Sequence, residues 1–481
     1  MKRVKYFLLF LILIGAFGVR LYRFDGPIAD WHSWRQSDTS AVSRNFVKYG
    51  FDILHPKFDD LSNVPSGLDN PNGYRFVEFP IYNLAQGGLY YVFGFLTIEQ
   101  WGRLVTIFTS IISTVFIYLI VKKYSNETAA LFSAFFYAFL PYNIYFSRVI
   151  LPDPMMVMAI LGGIYFFSQW IEKKNSQFSI LNFQFLLSVI FTASSFLLKP
   201  YALFFTLPII YLSLKSFGLK LFFKWQLWLF ATLTLAPLVF WRYWMQQYPE
   251  GIPVSDWLFN GGNIRFKPSF FYWIFADRIG RLILGYWGIA IFSFGLIQKK
   301  SRETLFFFSF LISSLLYLIV IARGNVQHDY YQILIIPSIV IFLGLGAEAL
   351  LKIPKEYFSQ TIARAMFVIC VFFMFLFGWY FVRDFFNINN MSIVIAGEAV
   401  DKLTPKNAKV LAPYEGDTSF LYQTRRSGWA SFQRALPEMI KMGATHLVFV
   451  NTKESDYNLG KEFKIISATA DYILFDLRVK P

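Results

Sequence analysis

Charge is scarce in this chain of 481 residues: Asp, Glu, Lys and Arg make up 16%, against roughly a quarter in ordinary soluble domains. Cysteine is nearly absent. The single Cys370 lies in an apolar run, which excludes a disulfide framework and a Cys-rich metal site. The four histidines show no His-x-x-x-His spacing, so sequence offers little for a metal centre built on imidazole. What abounds is apolar: 56% hydrophobic residues, 58 Phe and a mean hydropathy of +0.45. A soluble domain lacks the polar surface to cover so much apolar side chain. Disorder and collagen-like repeats fall to the same composition. A multi-pass membrane protein is the class that remains.

Apolar runs long enough to cross about 30 Å of hydrocarbon fall near 5–22, 103–121, 127–147, 154–171, 178–198, 200–214, 225–245, 283–297, 304–322, 330–351 and 365–382, about eleven in all. The first does not read as a cleaved signal, because Gly18-Val19-Arg20 lacks a small-x-small cleavage site. Basic residues precede the first run (Lys2, Arg3, Lys5) and then fall in every second loop: Lys122 and Lys123, Lys173 and Lys174, Lys215 to Lys224, Lys299 to Arg302, and Lys352 to Arg364. That alternation predicts a multi-pass protein of the plasma membrane, its N-terminus cytoplasmic and its C-terminal domain extracytoplasmic. The net charge of +15 is then a topology signal, and no basic patch is left over for nucleic acid.

Two segments interrupt the apolar rhythm, both on the outer side. The first is a long loop, 23–102, in which Asp38–Tyr49 and Tyr82–Phe95 read as aromatic, amphipathic helices lying along the membrane interface. The second, 390–481, has ordinary soluble composition. There Lys409–Ala412, His446–Asn451 and Tyr472–Leu477 read as strands and Leu436–Met442 as a helix. A further outer loop, 243–282, carries Pro249-Glu250-Gly251 and Gly261-Gly262 turns. The expected architecture is an all-α polytopic membrane domain over 1–389 and a small extracytoplasmic α/β domain over 390–481.

Ionisable residues gather at the outer ends of the runs. Asp30, His32, Arg35 and Asp38 lie within nine positions, around Trp31 and Trp34, and Glu78-Phe79-Pro80 follows later in the loop. Arg148 and Asp153 flank Leu151-Pro152, Lys199-Pro200 divides two runs, and His328-Asp329-Tyr330-Tyr331 opens another. Each has a bland reading. Asp30 and Asp38 suit helix caps, Arg148 and Asp153 an ion pair, Lys199 a snorkelling side chain, and His328 an interfacial aromatic. Together they suggest a site, because ionisable groups at membrane depth are costly and usually serve one. A carboxylate takes a proton from an acceptor; Lys and Arg hold a lipid phosphate. In the C-terminal domain Asp417-Thr418, Tyr422, Arg425-Arg426 and Trp429 suit either carbohydrate contact or the domain's own core, with the core favoured.

At these residues the sequence resembles the GT-C membrane glycosyltransferases, in particular the branch of protein O-mannosyltransferases and lipid A aminoarabinose transferases. Glu78-Phe79-Pro80-Ile81-Tyr82 is similar to that family's Glu-x-Pro-Pro-Leu-Tyr. Ser147-Arg148 with Leu151-Pro152-Asp153-Pro154 is similar to its Arg/Leu-Pro-Asp stretch, Lys199-Pro200 to its Lys-Gly-Pro, and His328-Asp329-Tyr330-Tyr331 with Pro337 to its late Arg/His-Tyr segment. The resemblance implies a GT-C fold and an enzyme that takes a sugar from a polyprenyl-phosphate donor. The acceptor would be a protein, lipid or glycan at the outer face, and the transfer would invert the sugar.

The resemblance also implies roles. The base is a first-loop carboxylate, but where many relatives carry Asp-Glu ahead of an Ala-Arg-Asn helix, alignment on Ser43-Arg44-Asn45 puts Arg35-Gln36. The role therefore shifts to Asp38, ahead of Asp30, with Glu78 the third candidate. Lys199, Arg148 and Arg35 become the donor-phosphate residues; Asp153, His328, Tyr330, Tyr331 and Trp34 become substrate-binding. Some relatives need a divalent metal, for which Glu78, Asp30 and His328 or His32 are the candidate ligands. Transfer of whole lipid-linked glycans is an alternative that differs only in donor. A transporter is disfavoured by the absence of paired half-sequence repeats and of charges near span centres. A non-catalytic scaffold is disfavoured by the joint presence of acids and bases.

Overall fold

The computed structural model describes residues 2–172, 182–297, 302–354, 356 and 358–481. Lys173, Lys174, Lys299, Lys300, Lys355 and the start of the run at 178 lie outside the described residues. The chain divides into two compact units. The first comprises Met1–Phe24, Thr106–Trp241 and Ser255–Asp384; the second comprises Asp25–Val105, Arg242–Val254 and Phe385–Pro481.

Each of the eleven apolar runs holds a helix, but several are broken. Among the described residues five helical segments are long and apolar enough to cross a membrane: Ile98–Tyr124, Asp153–Ile171, Pro200–Phe223, Asp329–Leu351 and Gln360–Leu403. A sixth arises if the pair Pro268–Ile283 and Gly288–Ile297, bent by 111°, counts as one span. The breaks have a common cause. Pro141, Pro154, Pro200, Pro208, Pro268 and Pro337 each sit in the first turn of a helix, where the missing N–H costs nothing. Each restarts the helix behind it. The 127–147 run thus becomes Glu127–Phe139 and Pro141–Phe146. A carbonyl freed at that break, Ala138 O, is taken up at 2.8 Å by the fully buried Arg20, which also donates to the Ser147 hydroxyl at 2.7 Å.

Helix Ile336–Leu351 is the centre of the first unit, and 89% of the span to which it belongs is buried. Close approach on two sides requires glycine. A Cβ on Gly344 would stand 2.0 Å from Ser133 Oγ of helix Glu127–Phe139. One on Gly346 would stand 1.9 Å from Ile291 O of helix Gly288–Ile297, whose own Gly295 faces Phe342 O. Small residues at such crossings let backbones pack directly, the main source of helix association where no water is expelled.

The second unit contains a five-stranded sheet: β1 Val410–Leu411, β2 Gly428–Trp429, β3 His446–Val450, β4 Lys464–Ala468 and β5 Tyr472–Asp476. Their order is β2-β1-β3-β5-β4, with β1 parallel to β2 and β3, and β5 antiparallel to β3 and β4. The period of two divides the core. Val410, Ala412, Val448 and Leu474 pack with Ile393, Ala396 and Val400 of helix Met391–Leu403; Leu411, Leu447, Ile473 and Phe475 pack with Met439 of helix Leu436–Lys441. The first loop extends this sheet: Leu61 N donates to Gly428 O at 2.7 Å and Gly428 N to Asp59 O at 2.9 Å.

The first-loop helices form as Ser33–Tyr49 and Ile81–Phe93. Helix Ile81–Phe93 exposes Tyr91, Val92 and Phe93, as an interfacial helix would. Helix Ser33–Tyr49 does not lie on a surface: 12 of its 17 residues are buried. With only Ala41, Val42 and Phe46 as buried apolar residues it has no broad greasy face to lay on lipid. It is instead enclosed by polar partners, Ser43 Oγ donating to Gln86 Oε1 at 2.8 Å and Asn83 Nδ2 to Thr39 O at 2.6 Å.

The glycine crossings give a direct test. Gly346→Ala forces backbones apart, an overpacking cost of about 1–3 kcal/mol or more, and should lower the melting temperature in detergent by several degrees. Gly18→Ala, with open space around it, should leave melting unchanged.

Candidate active site

Two polar clusters stand out, one in each unit. In the second unit, helix Ser33–Tyr49 starts after His32, which adopts a left-handed conformation at φ 54°. Arg35 and Asp38 lie three residues apart and therefore on one side of the helix. Both line a small open cleft with Pro56, Arg75, Val77 and Glu78. Arg35 Nη2 is 2.7 and 2.9 Å from the two Glu78 oxygens. Arg75 Nη2 lies 2.6 Å from Asp38 Oδ2, and Thr418 Oγ1 lies 2.6 Å from Asp38 Oδ1. The three candidate carboxylates, Asp30, Asp38 and Glu78, are all buried. Each Asp38 oxygen still has lone-pair capacity to accept a further proton.

Asp38 lies inside the helix and caps nothing. Asp30 precedes it, takes Gln36 Nε2 at 2.7 Å, and does not line the cleft. Trp34 is half-buried, with its carbonyl 3.3 Å from Thr418 Oγ1. The structure thus brings Arg35, Asp38 and Glu78 to one cleft. Arg75, which the sequence did not single out, joins them in the cleft, and Thr418, read there as core or carbohydrate contact, bonds Asp38 without lining the cleft. Among the described residues no group of three or more His, Cys, Asp or Glu is arranged to hold a metal. Glu78 and Asp30 are engaged by Arg35 and Gln36, so the proposed metal ligands do not fit a cation site.

In the first unit, Asp153 begins helix Asp153–Ile171 and Lys199 follows helix Phe183–Leu198. Lys199 Nζ lies 2.6 Å from Asp153 Oδ1, both side chains almost fully buried. The ammonium also stands over the rings of Tyr330 and Tyr331 at 5.6 and 5.5 Å. Asp153 Oδ2 is buried without a hydrogen-bond partner. His328 packs against Tyr330, Tyr331 and Trp257. Arg148 donates to the Arg23 carbonyl at 3.0 Å. Lys199 therefore does not snorkel, and Asp153 pairs with it instead of with Arg148. In the same unit Met156, Ile160, Phe205, Phe310, Leu334 and Pro337 line a small apolar crevice of about 10 Å³.

Of the C-terminal residues, Trp429 and Arg426 are core, Arg426 paired with Asp401 at 2.6 Å. Asp60 is a further buried carboxyl in the second unit. It accepts from Ser62 N at 3.0 Å and Ser62 Oγ at 2.7 Å. Burial pushes it up to about 6, with the charge of Asp38 adding to the rise and the Ser62 hydrogen bonds opposing it.

Asp60 makes stability depend on pH. It loses its proton near 3.8 when unfolded but near 6 when folded, so its contribution is full below the lower value and is lost as pH rises through the upper one. Asp60→Asn abolishes that loss: relative to wild type its stability should rise by roughly 2–3 kcal/mol from ~pH 4 to ~pH 7. Melting curves across this range check it; a pH-independent difference contradicts it.

Residues 77–244 match the family described as dolichyl-phosphate-mannose-protein mannosyltransferase. Over nearly its whole length the chain is similar in structure to ArnT from Cupriavidus metallidurans. The crystal structure bound to undecaprenyl phosphate gives a TM-score of 0.65 at 13% identity with 97% of each chain covered. The apo structure gives 0.68 at 12% with 98% of each covered. The Archaeoglobus fulgidus oligosaccharyltransferase, in complex with Zn and sulfate, gives 0.59 at 11% over 92% of this chain and 67% of that one. No curated protein matches the chain in sequence. The resemblance read from the motifs is borne out: this membrane chain has the GT-C fold.

Proposed function

We propose that the chain is a membrane glycosyltransferase that takes a sugar from a polyprenyl-phosphate carrier and passes it to an acceptor at the outer face, with inversion. The observation that carries this reading is Asp38, a buried carboxylate paired with Arg75 at 2.6 Å and open to a cleft. Asp38 accepts the proton of the acceptor hydroxyl or amine as that atom bonds to the anomeric carbon. The bond from that carbon to the phosphate breaks in the same displacement, and the polyprenyl phosphate leaves. In the first unit, Lys199 is the residue of this reading that binds a lipid phosphate. A single displacement inverts the anomeric centre, since no second nucleophile holds the sugar. The N-terminus is cytoplasmic, and residues 390–481 act as an extracytoplasmic domain.

Asp38→Asn keeps the side-chain volume and one acceptor for Arg75 but cannot take the proton. Transfer of radiolabel from polyprenyl-phosphate sugars to crude membrane acceptors should fall roughly 10²–10⁴-fold in protein that still folds, with melting lowered because the Arg75 charge loses its partner. Wild-type turnover would remove Asp38 from the mechanism. Removing Lys199 alone would strand the Asp153 charge, at a cost of about 3–5 kcal/mol. The double variant Lys199→Met with Asp153→Asn avoids that penalty. It should fold and raise the KM for the donor about tenfold or more.

A further inference from the structure

We propose that Thr418, from the C-terminal part of the chain, is a positioning residue for Asp38; this rests on the reading of Asp38 as the base. Its hydroxyl lies 2.6 Å from Asp38 Oδ1, while Arg75 holds Oδ2 at the same distance. The carboxylate is thereby gripped at both oxygens, which fixes its rotation about the Cβ–Cγ bond. Arg75 alone would leave that torsion soft, because carboxylate torsions are broad. The other acceptor near the hydroxyl, Trp34 O, is more distant at 3.3 Å. A hydroxyl has one proton to give, and the charged, closer oxygen takes it.

Thr418 is itself held rigidly. It begins helix Thr418–Gln423, capped by Asp417, whose carboxylate accepts from Ser419 N at 2.7 Å. Tyr422 of that helix donates to Glu99 at 2.6 Å and its hydroxyl lies 2.9 Å from Ser40 Oγ. The Arg44 guanidinium lies over the Tyr422 ring at 4.0 Å, bonds Tyr422 O at 3.1 Å, and pairs with Asp59. Helix Thr418–Gln423 is thus bolted to helix Ser33–Tyr49 by contacts that do not involve Thr418. Deleting the Thr418 hydroxyl should leave this docking in place. Its loss should register in the chemical step, because a base held loosely spends less time in reactive geometry.

The test uses the full chain in liposomes, with the polyprenyl-phosphate sugar that wild type turns over from a panel. Thr418→Val should lower kcat about tenfold while KM for the donor stays within about twofold and melting is unchanged. Thr418→Ser keeps the donor and should retain most of kcat. Wild-type kcat in Thr418→Val, or equal loss in both variants, overturns the proposal while leaving Asp38 as base if Asp38→Asn is inactive. An active Asp38→Asn overturns the reading of the base and the positioning role with it. So does a folded wild-type protein that transfers from no carrier in the panel.

Discussion

A helix made mostly of polar residues and buried on nearly every side must find hydrogen-bond partners for most of them. Helix Ser33–Tyr49 is under that constraint, and much of the second unit follows from it. A buried amide or hydroxyl left unsatisfied costs about 1–3 kcal/mol, and this helix carries a dozen buried residues, nine of them polar. Its partners come from three separate stretches of chain: Asn83 and Gln86, Asp59 and Arg75, and Thr418 with Tyr422. The apolar alternative, a helix resting on lipid, would leave these groups unpaired. The polar helix therefore draws the first loop and the residues after 385 into one compact unit. The carboxylate at its centre inherits a fixed position.

The first unit solves a different problem with the same economy of charge. A lone ammonium at membrane depth is costly, and an isolated carboxylate is no better. Lys199 and Asp153 pair at 2.6 Å, so neither stands alone. Their placement traces to proline: Pro154 and Pro200 each restart a helix directly after a charged residue. Tyr330 and Tyr331 arrive through the short turn before Pro337, adding ring faces to the ammonium. Proline interruptions shorten the uninterrupted helices, and they also create the helix starts where the polar residues sit.

What the sequence made legible was local. Hydropathy located the helical runs, short apolar stretches in an otherwise soluble composition located β1, β3 and β5, and the Glu78, Asp153, Lys199 and His328 motifs pointed to the GT-C fold. Contacts distant in sequence were not legible. Thr418 and Asp38 are 380 residues apart, and in sequence Asp417-Thr418 suited either carbohydrate contact or the domain's core, whereas Asp417 caps a helix. Arg75 carries no signal of its own beside Tyr74 and Phe76. The two-residue strand β2 is too short for a period, and β4 is largely exposed with no apolar alternation. The surface placement expected for helix Ser33–Tyr49 failed because aromatic content was read as amphipathicity, whereas its apolar residues do not form a stripe.

The central claim is a single displacement assisted by a first-loop carboxylate, with no sugar bound to the enzyme on the way. The most direct measurement is the anomeric configuration of the product, read by NMR after transfer from a polyprenyl-phosphate sugar of known configuration. Inversion is the predicted result. Retention would require a second nucleophile and would contradict the account.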